Sequence, residues 1–236
     1  MFTLFIKLLL AHFLGDFLFQ PYSWVVHKEQ YHITSKYLYA HIAVHTILLV
    51  VVLFPAYPYW VGVLSILISH FAIDALKARL QTLNNARFLF FTDQVLHLLI
   101  LFLVAFIYAG SSITLDVVLS NEIVLLILFL VLNTVVASVV MKVIISKWNP
   151  VAQEGESLED AGNYIGILER LFIFVFILLD FWSGIGFLIT AKSVFRFGDL
   201  SRARDRKLTE YILIGTLLSF GFAILCGLGY TYLVTF

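Results

Sequence analysis

Apolar residues fill most of the chain, and the polar interruptions organise it. Eight apolar runs come close to the roughly 20 residues (range about 17–25) that a helix needs to cross a bilayer. They cover residues 2–20, 37–54, 58–79, 92–109, 117–146, 164–180, 182–197 and 208–234. Pro21 ends the first and Pro55 the second, while Asn149 and Pro150 follow the fifth; proline lacks the N–H that a continuing helix requires. The pattern predicts an all-α, polytopic membrane helix bundle of about eight transmembrane helices. The sixth and seventh meet tightly at Asp180–Gly184, and a hairpin that does not fully cross is the alternative there.

Within the first four runs the polar residues recur at one spacing. The segments 12-HFLGD-16, 41-HIAVH-45, 70-HFAID-74 and 93-DQVLH-97 each place two His or Asp residues four apart. On a helix, i and i+4 share a face. The eight residues fall into two layers when counted from the same membrane side. Asp16, His41, Asp74 and Asp93 lie in the first turn or so, and His12, His45, His70 and His97 one turn deeper. The echo of HFLGD in HFAID suggests a duplicated helical hairpin.

The basic residues orient the bundle. Lys28 and Lys36 follow the first run, Lys77, Arg79 and Arg87 lie near the third connection, and Lys142 and Lys147 flank the fifth. Arg196, Arg202, Arg204, Arg206 and Lys207 mark the seventh, and the even connections carry no basic residue. Basic connections stay in the cytoplasm, so both termini are expected outside and the His/Asp layers in the cytoplasmic half. The polar run 153-QEGESLEDAGN-163 reads as a linker. It divides the chain into 1–147, holding the four metal-type helices and a long fifth, a cytoplasmic acidic linker 148–163, and a three-helix half 164–236.

Composition supports the membrane reading. Of 236 residues, 61% are hydrophobic and 13% charged, and mean hydropathy is +0.99; a soluble domain is about half apolar and a quarter charged. The N-terminus lacks the basic start and small-residue cleavage site of a signal peptide. Cys226 is the only cysteine, which excludes an intrachain disulfide and a cysteine-based metal site. No basic-aromatic surface suited to nucleic acid and no Gly-rich phosphate loop is found.

Ionisable groups inside a membrane are costly and usually functional. Interhelical hydrogen bonding alone is the plainer explanation for any one of them. Eight together, all His or Asp, point to a divalent metal: zinc first, with manganese or iron as alternatives. Eight ligands exceed what one catalytic ion takes. One or two ions are expected on His12, Asp16, His41, His45, His70, Asp74, Asp93 and His97, some of which orient a ligand instead.

These motifs, with 166-GILER-170, 191-AKSVFRF-197 and 210-EYILIGTLLS-219, resemble a family of bacterial and archaeal membrane proteins described only as a domain of unknown function. The resemblance implies a prokaryotic plasma (inner) membrane protein and no particular activity. More distantly, the His/Asp helices look like membrane-bound metal-dependent hydrolases, which implies hydrolysis at the same eight positions.

A hydrolase acting near the cytoplasmic face, on a phosphate ester or amide of a lipid-like substrate, is therefore the leading expectation. Asp93 or Asp16 would take a proton from water. Gln20, Lys77 and Gln94 could contact substrate; capping for Gln20 and snorkelling for Lys77 are the structural alternatives. In the C-terminal half, Arg170, Lys192 and Arg196 could bind a substrate anion, against a plainer role of pairing with Glu169 and Glu210. Membrane lipid is the expected partner. A divalent-metal transporter and a haem- or quinone-binding protein are the competing classes. The outer halves of the four helices look too apolar for a conduit, and haem leaves the aspartates unexplained.

Overall fold

The computed structural model describes residues 1–54, 57–110, 120–148, 161–197 and 203–235, and every regular element among them is helical. The chain divides into two compact units, Met1–Leu128 and Phe129–Phe236.

The first unit contains α1 (Phe2–Phe13), α2 (Tyr22–Tyr31), α3 (Lys36–Val52), α4 (Trp60–Leu80) and α5 (Ala86–Ile107). α1 packs on α3 and α5, and α4 packs on the same two, so the four close a ring; α2 lies against α3 and α4. The centre of the ring is stratified. Leu8, Leu49, Ile66 and Leu101 are buried in one apolar cluster, and each stands four residues from a histidine: His12, His45, His70 and His97 respectively. One helical turn thus separates a histidine layer from an apolar floor. Leu4, Leu53, Val63 and Ala105 continue that floor away from the polar end. α4 and α5 approach closely at Gly62, where a Cβ would lie 2.9 Å from both Tyr108 and Val104.

α1 does not end as a simple span. It continues as a π-helical turn, Leu14–Leu18, and the chain then breaks by 83° into Tyr22–Thr34. Pro21 stands at the break with extended backbone. α2 was not expected from the apolar pattern, because its sequence YSWVVHKEQY mixes aromatic and polar residues and holds no long apolar run. α5 starts six residues before the predicted run, since Asn85 closes the turn from α4. Its Oδ1 accepts from the Thr82 N–H at 2.7 Å and its Nδ2 donates to the Leu80 carbonyl at 3.0 Å.

The long helix Asn121–Trp148 belongs to the second unit from Phe129 onward. It consists of α6 (Asn121–Val131), a second π-turn at Leu132–Val136, and α7 (Ala137–Ile145) with a short 3-10 end. α8 (Ala161–Leu178), α9 (Trp182–Phe197) and α10 (Ala203–Val234) complete the unit around Ile173, Ile177, Ile185, Phe220 and Ala223. α8 and α9 join at Asp180, whose φ is 54°. Its carboxylate accepts from the Trp182 indole N–H at 2.7 Å. Of the predicted linker, residues 149–160 lie outside the described residues.

Five helices are long and apolar enough to cross a membrane: Trp60–Leu80, Ala86–Ile107, Asn121–Trp148, Ala161–Leu178 and Thr209–Val234. Counting the bent pair from Phe2 to Thr34 as one broken span makes six. Each of the eight predicted runs contains a helix among its described residues, but Phe2–Leu18, Lys36–Val52 and Trp182–Phe197 stop at or below 17 residues.

Arg170 holds the second π-turn. Its Nε donates to the Asn133 carbonyl at 2.6 Å and its Nη2 to the Thr134 carbonyl at 3.1 Å and the Ser138 hydroxyl at 2.7 Å. Nη1 donates to the Ser219 hydroxyl at 3.1 Å, and Asn133 Nδ2 returns a bond to the Arg170 carbonyl. Leaving buried acceptors unpaired costs about 1–3 kcal/mol each. Arg170→Ala should therefore destabilise the protein by about 3 kcal/mol or more in denaturant titrations in detergent, whereas Ser219→Ala should cost about 1 kcal/mol.

Candidate metal centre

The structure brings all eight predicted residues together at the polar end of the first unit. The four deeper histidines form a closed set, with ring centroids of His12–His97 at 5.2 Å, His97–His70 at 4.0 Å, His70–His45 at 4.0 Å and His45–His12 at 6.1 Å. Asp16, His41, Asp74 and Asp93 form the shallower set. His41, His45 and His70 are almost completely buried. Because α5 begins early, Asp93 sits two turns into its helix, deeper than the sequence suggested.

Asp16 is the hub. Its Oδ1 has His45 Nε2 at 2.9 Å, His41 Nε2 and His70 Nε2 each at 3.4 Å, and His12 Nδ1 at 3.8 Å. Its Oδ2 accepts from Gln94 Nε2 at 3.0 Å. Two local features deliver it. The π-turn carries Asp16, closed by the Phe19 N–H to Leu14 carbonyl bond at 2.9 Å; such turns insert an extra residue and re-aim side chains, often at functional sites. Beside it, Gly15 faces the His45 ring, and a Cβ there would fall 2.4 Å from His45 Cε1. The glycine in HFLGD is thus space for an imidazole.

The spacing suits a metal ion. His41 Nε2, His70 Nε2 and Asp16 Oδ1 make a near-equilateral triangle with edges of 3.1, 3.4 and 3.4 Å. A tetrahedral zinc ion with bonds of about 2.0–2.1 Å separates its ligands by about 3.3–3.4 Å. Three sets of donor atoms lie within 4.8 Å of one another: His12, Asp16, His45 and His70; His41, His70 and Asp74; Asp16, Asp93 and His97. They could hold one ion, or two that share the Asp16 carboxylate. The protein alone leaves the cluster under-satisfied. His12 Nε2, His41 Nδ1, Asp93 Oδ1 and both His97 ring nitrogens are buried with no hydrogen-bond partner among the described residues. Asp93 Oδ1 and His97 Nδ1 stand 3.7 Å apart, beyond hydrogen-bond length.

Two ammonium groups close the polar end. Lys77 Nζ donates to Asp93 Oδ2 at 2.8 Å and Lys28 Nζ to Asp74 Oδ2 at 2.7 Å. Lys77 is a predicted contact residue; Lys28 read from sequence as an orienting charge only. It reaches the cluster because α2 folds back over α4, where His32 Nδ1 also meets the Ala78 carbonyl at 2.8 Å. Of the other predicted substrate contacts, Gln94 binds Asp16 and Asp93, and Gln20 keeps a buried Nε2 without a partner among the described residues. Arg170 and Lys192 lie in the second unit. Arg170 holds the π-turn, and Lys192 Nζ donates to Glu169 Oε2 at 2.6 Å. The Arg196 side chain lies outside the described residues. Lys7 is a buried charge that the apolar pattern concealed. It sits about 100° around α1 from Leu8, off the face that lines the floor.

The fold and site define a helical membrane protein with a buried histidine–aspartate cluster. The chain belongs to the family described as Protein of unknown function (DUF3307), whose profile matches residues 4–126, just over half of the sequence. That stretch contains the whole cluster and stops short of the C-terminal motifs. No curated protein and no solved structure matches the chain.

Gly15→Ala should push the His45 ring off Asp16. Retention of zinc by the purified protein, measured by elemental analysis after dialysis against graded chelator, is expected to weaken by about 10–100-fold.

Proposed function

We propose that this chain is a membrane-embedded metal-dependent hydrolase acting on an ester of an amphiphilic molecule, with zinc as its ion. The observation that carries the reading is the overlap of three donor sets, two of them containing Asp16 and two containing His70, one turn above an apolar floor. Such a centre is reached from the polar end only. The basic residues at that end favour the cytoplasmic face of a prokaryotic plasma membrane. The same reading takes the three shorter helices as spans and leaves both termini outside.

A divalent ion held there supplies Lewis acidity toward a water molecule and toward the oxygen of the scissile bond. The protein supplies the rest. Asp93 is placed to accept a proton from water: its Oδ1 carries no hydrogen bond among the described residues, while Lys77 fixes its Oδ2. Gln94 holds Asp16 and Asp93 in register through one amide nitrogen. The floor of Leu8, Leu49, Ile66 and Leu101 keeps bulk water out from below, which strengthens electrostatic contacts inside. It also counts against metal transport, which needs polar groups along a route through the bundle.

The test is turnover by the full chain in lipid nanodiscs, assayed against lipid phosphate esters, carboxyl esters and amides. Activity is expected to vanish with chelator and return with zinc. Asp93→Asn should lower the rate by at least about 100-fold. A zinc-loaded protein that cleaves nothing in the panel would sink the hydrolase reading.

A further inference from the structure

Lys28 and Lys77 raise a question of charge. Three buried carboxylates, Asp16, Asp74 and Asp93, face two ammonium groups. With the histidines neutral, as metal ligation requires, the cluster alone carries one negative charge. One divalent ion turns this into one positive charge, and two ions into three. An excess positive charge in a low-dielectric bundle is expensive without a counter-ion. No further carboxylate joins the cluster among the described residues, so hydroxide or an anion from outside would balance it.

The donors for such an anion are in place. Each ammonium carries three N–H groups. Among the described residues, Lys28 Nζ and Lys77 Nζ each spend one on a single carboxylate oxygen, at 2.7 and 2.8 Å. Both side chains lie at the rim, 11% and 25% exposed. Gln20, one turn beyond Asp16 in the sequence, has a buried amide nitrogen without a partner among the described residues. Several cationic and amide donors beside a divalent ion match the oxygens of a phosphate dianion better than a carboxylate, which has only two.

The carrier of Lys28 points to the source of that phosphate. α2 turns 83° away from the axis of the first helix. It exposes Tyr22 and Tyr31 and stacks Trp24 on Tyr37 at 5.3 Å, a composition found at the membrane–water boundary. An amphiphile lying at that boundary would bring its headgroup to Lys28 first.

We propose that Lys28 and Lys77 form an anion clamp that selects the terminal phosphate of a phosphomonoester amphiphile, with Lys28 a specificity-determining residue delivered by α2. This rests on the hydrolase reading only for what happens after binding; the clamp itself is a binding site.

The full chain in phosphatidylcholine nanodiscs, purified with zinc, provides the test. Binding of inorganic phosphate is measured by calorimetry, for wild type, Lys28→Gln and Lys28→Arg. Glutamine can still donate to Asp74 and so keeps the fold; arginine keeps the charge. Lys28→Gln is expected to weaken phosphate binding by at least about tenfold with zinc content unchanged, and Lys28→Arg to restore most of it. A second arm adds phosphatidic acid to the nanodisc. Competition against inorganic phosphate assigns the site to a lipid headgroup, and absence of competition assigns it to a soluble phosphate and overturns the amphiphile assignment. Wild-type protein that binds no phosphate, or a Lys28→Gln protein that binds it equally well, overturns the clamp. Phosphate binding through Lys28 without cleavage of any ester leaves the clamp standing and removes the hydrolase. Cleavage of neutral esters with no phosphate binding does the reverse.

Discussion

Asp16 Oδ1 lies within 3.8 Å of four imidazole nitrogens, and one helical turn further on the centre of the bundle is an apolar cluster. Buried charge of this kind survives only when every group has a counterpart. The surrounding structure answers that demand. Four helices supply paired donors and acceptors on one stripe, a glycine makes room for a ring, and a fifth helix folds back to bring a lysine to Asp74. Among the partners still missing are those of His12 Nε2 and of both His97 ring nitrogens, and a cation bound through one nitrogen of a ring would supply that nitrogen's partner.

The two units use the same backbone device for different ends. A π-turn widens the helix by one residue and releases carbonyls from the regular ladder. In the first unit the turn swings the Asp16 side chain toward the histidines. In the second, the carbonyls of Asn133 and Thr134 are taken by Arg170, which reads as a structural clamp. The guanidinium finds neutral acceptors there, and Glu169 is left to Lys192.

The sequence revealed the cluster because i, i+4 spacing translates directly into a shared helix face, and depth could be counted from the basic ends. His12, His41, His45, His70, His97 and the three aspartates meet as that rule predicts. What it concealed was tertiary. Lys28 sits in a segment with no apolar period, and its approach to Asp74 depends on the break at Pro21. The π-turns have no compositional signature, so neither the aim of Asp16 nor the acceptors of Arg170 could be read. Span number was uncertain for a related reason: apolar runs mark helices, but where each helix stops is set by local turns such as that at Asn85.

The apolar floor has a kinetic corollary. Under the proposed function, a cluster floored by Leu8, Leu49, Ile66 and Leu101 would act as a cul-de-sac, in which whatever enters must leave by the way it came in. Entry of one molecule and exit of the previous one then exclude each other. Under the proposed function, occupancy at the rim, where Lys28 and Lys77 stand, would set the tempo of exchange however fast the events beneath it ran.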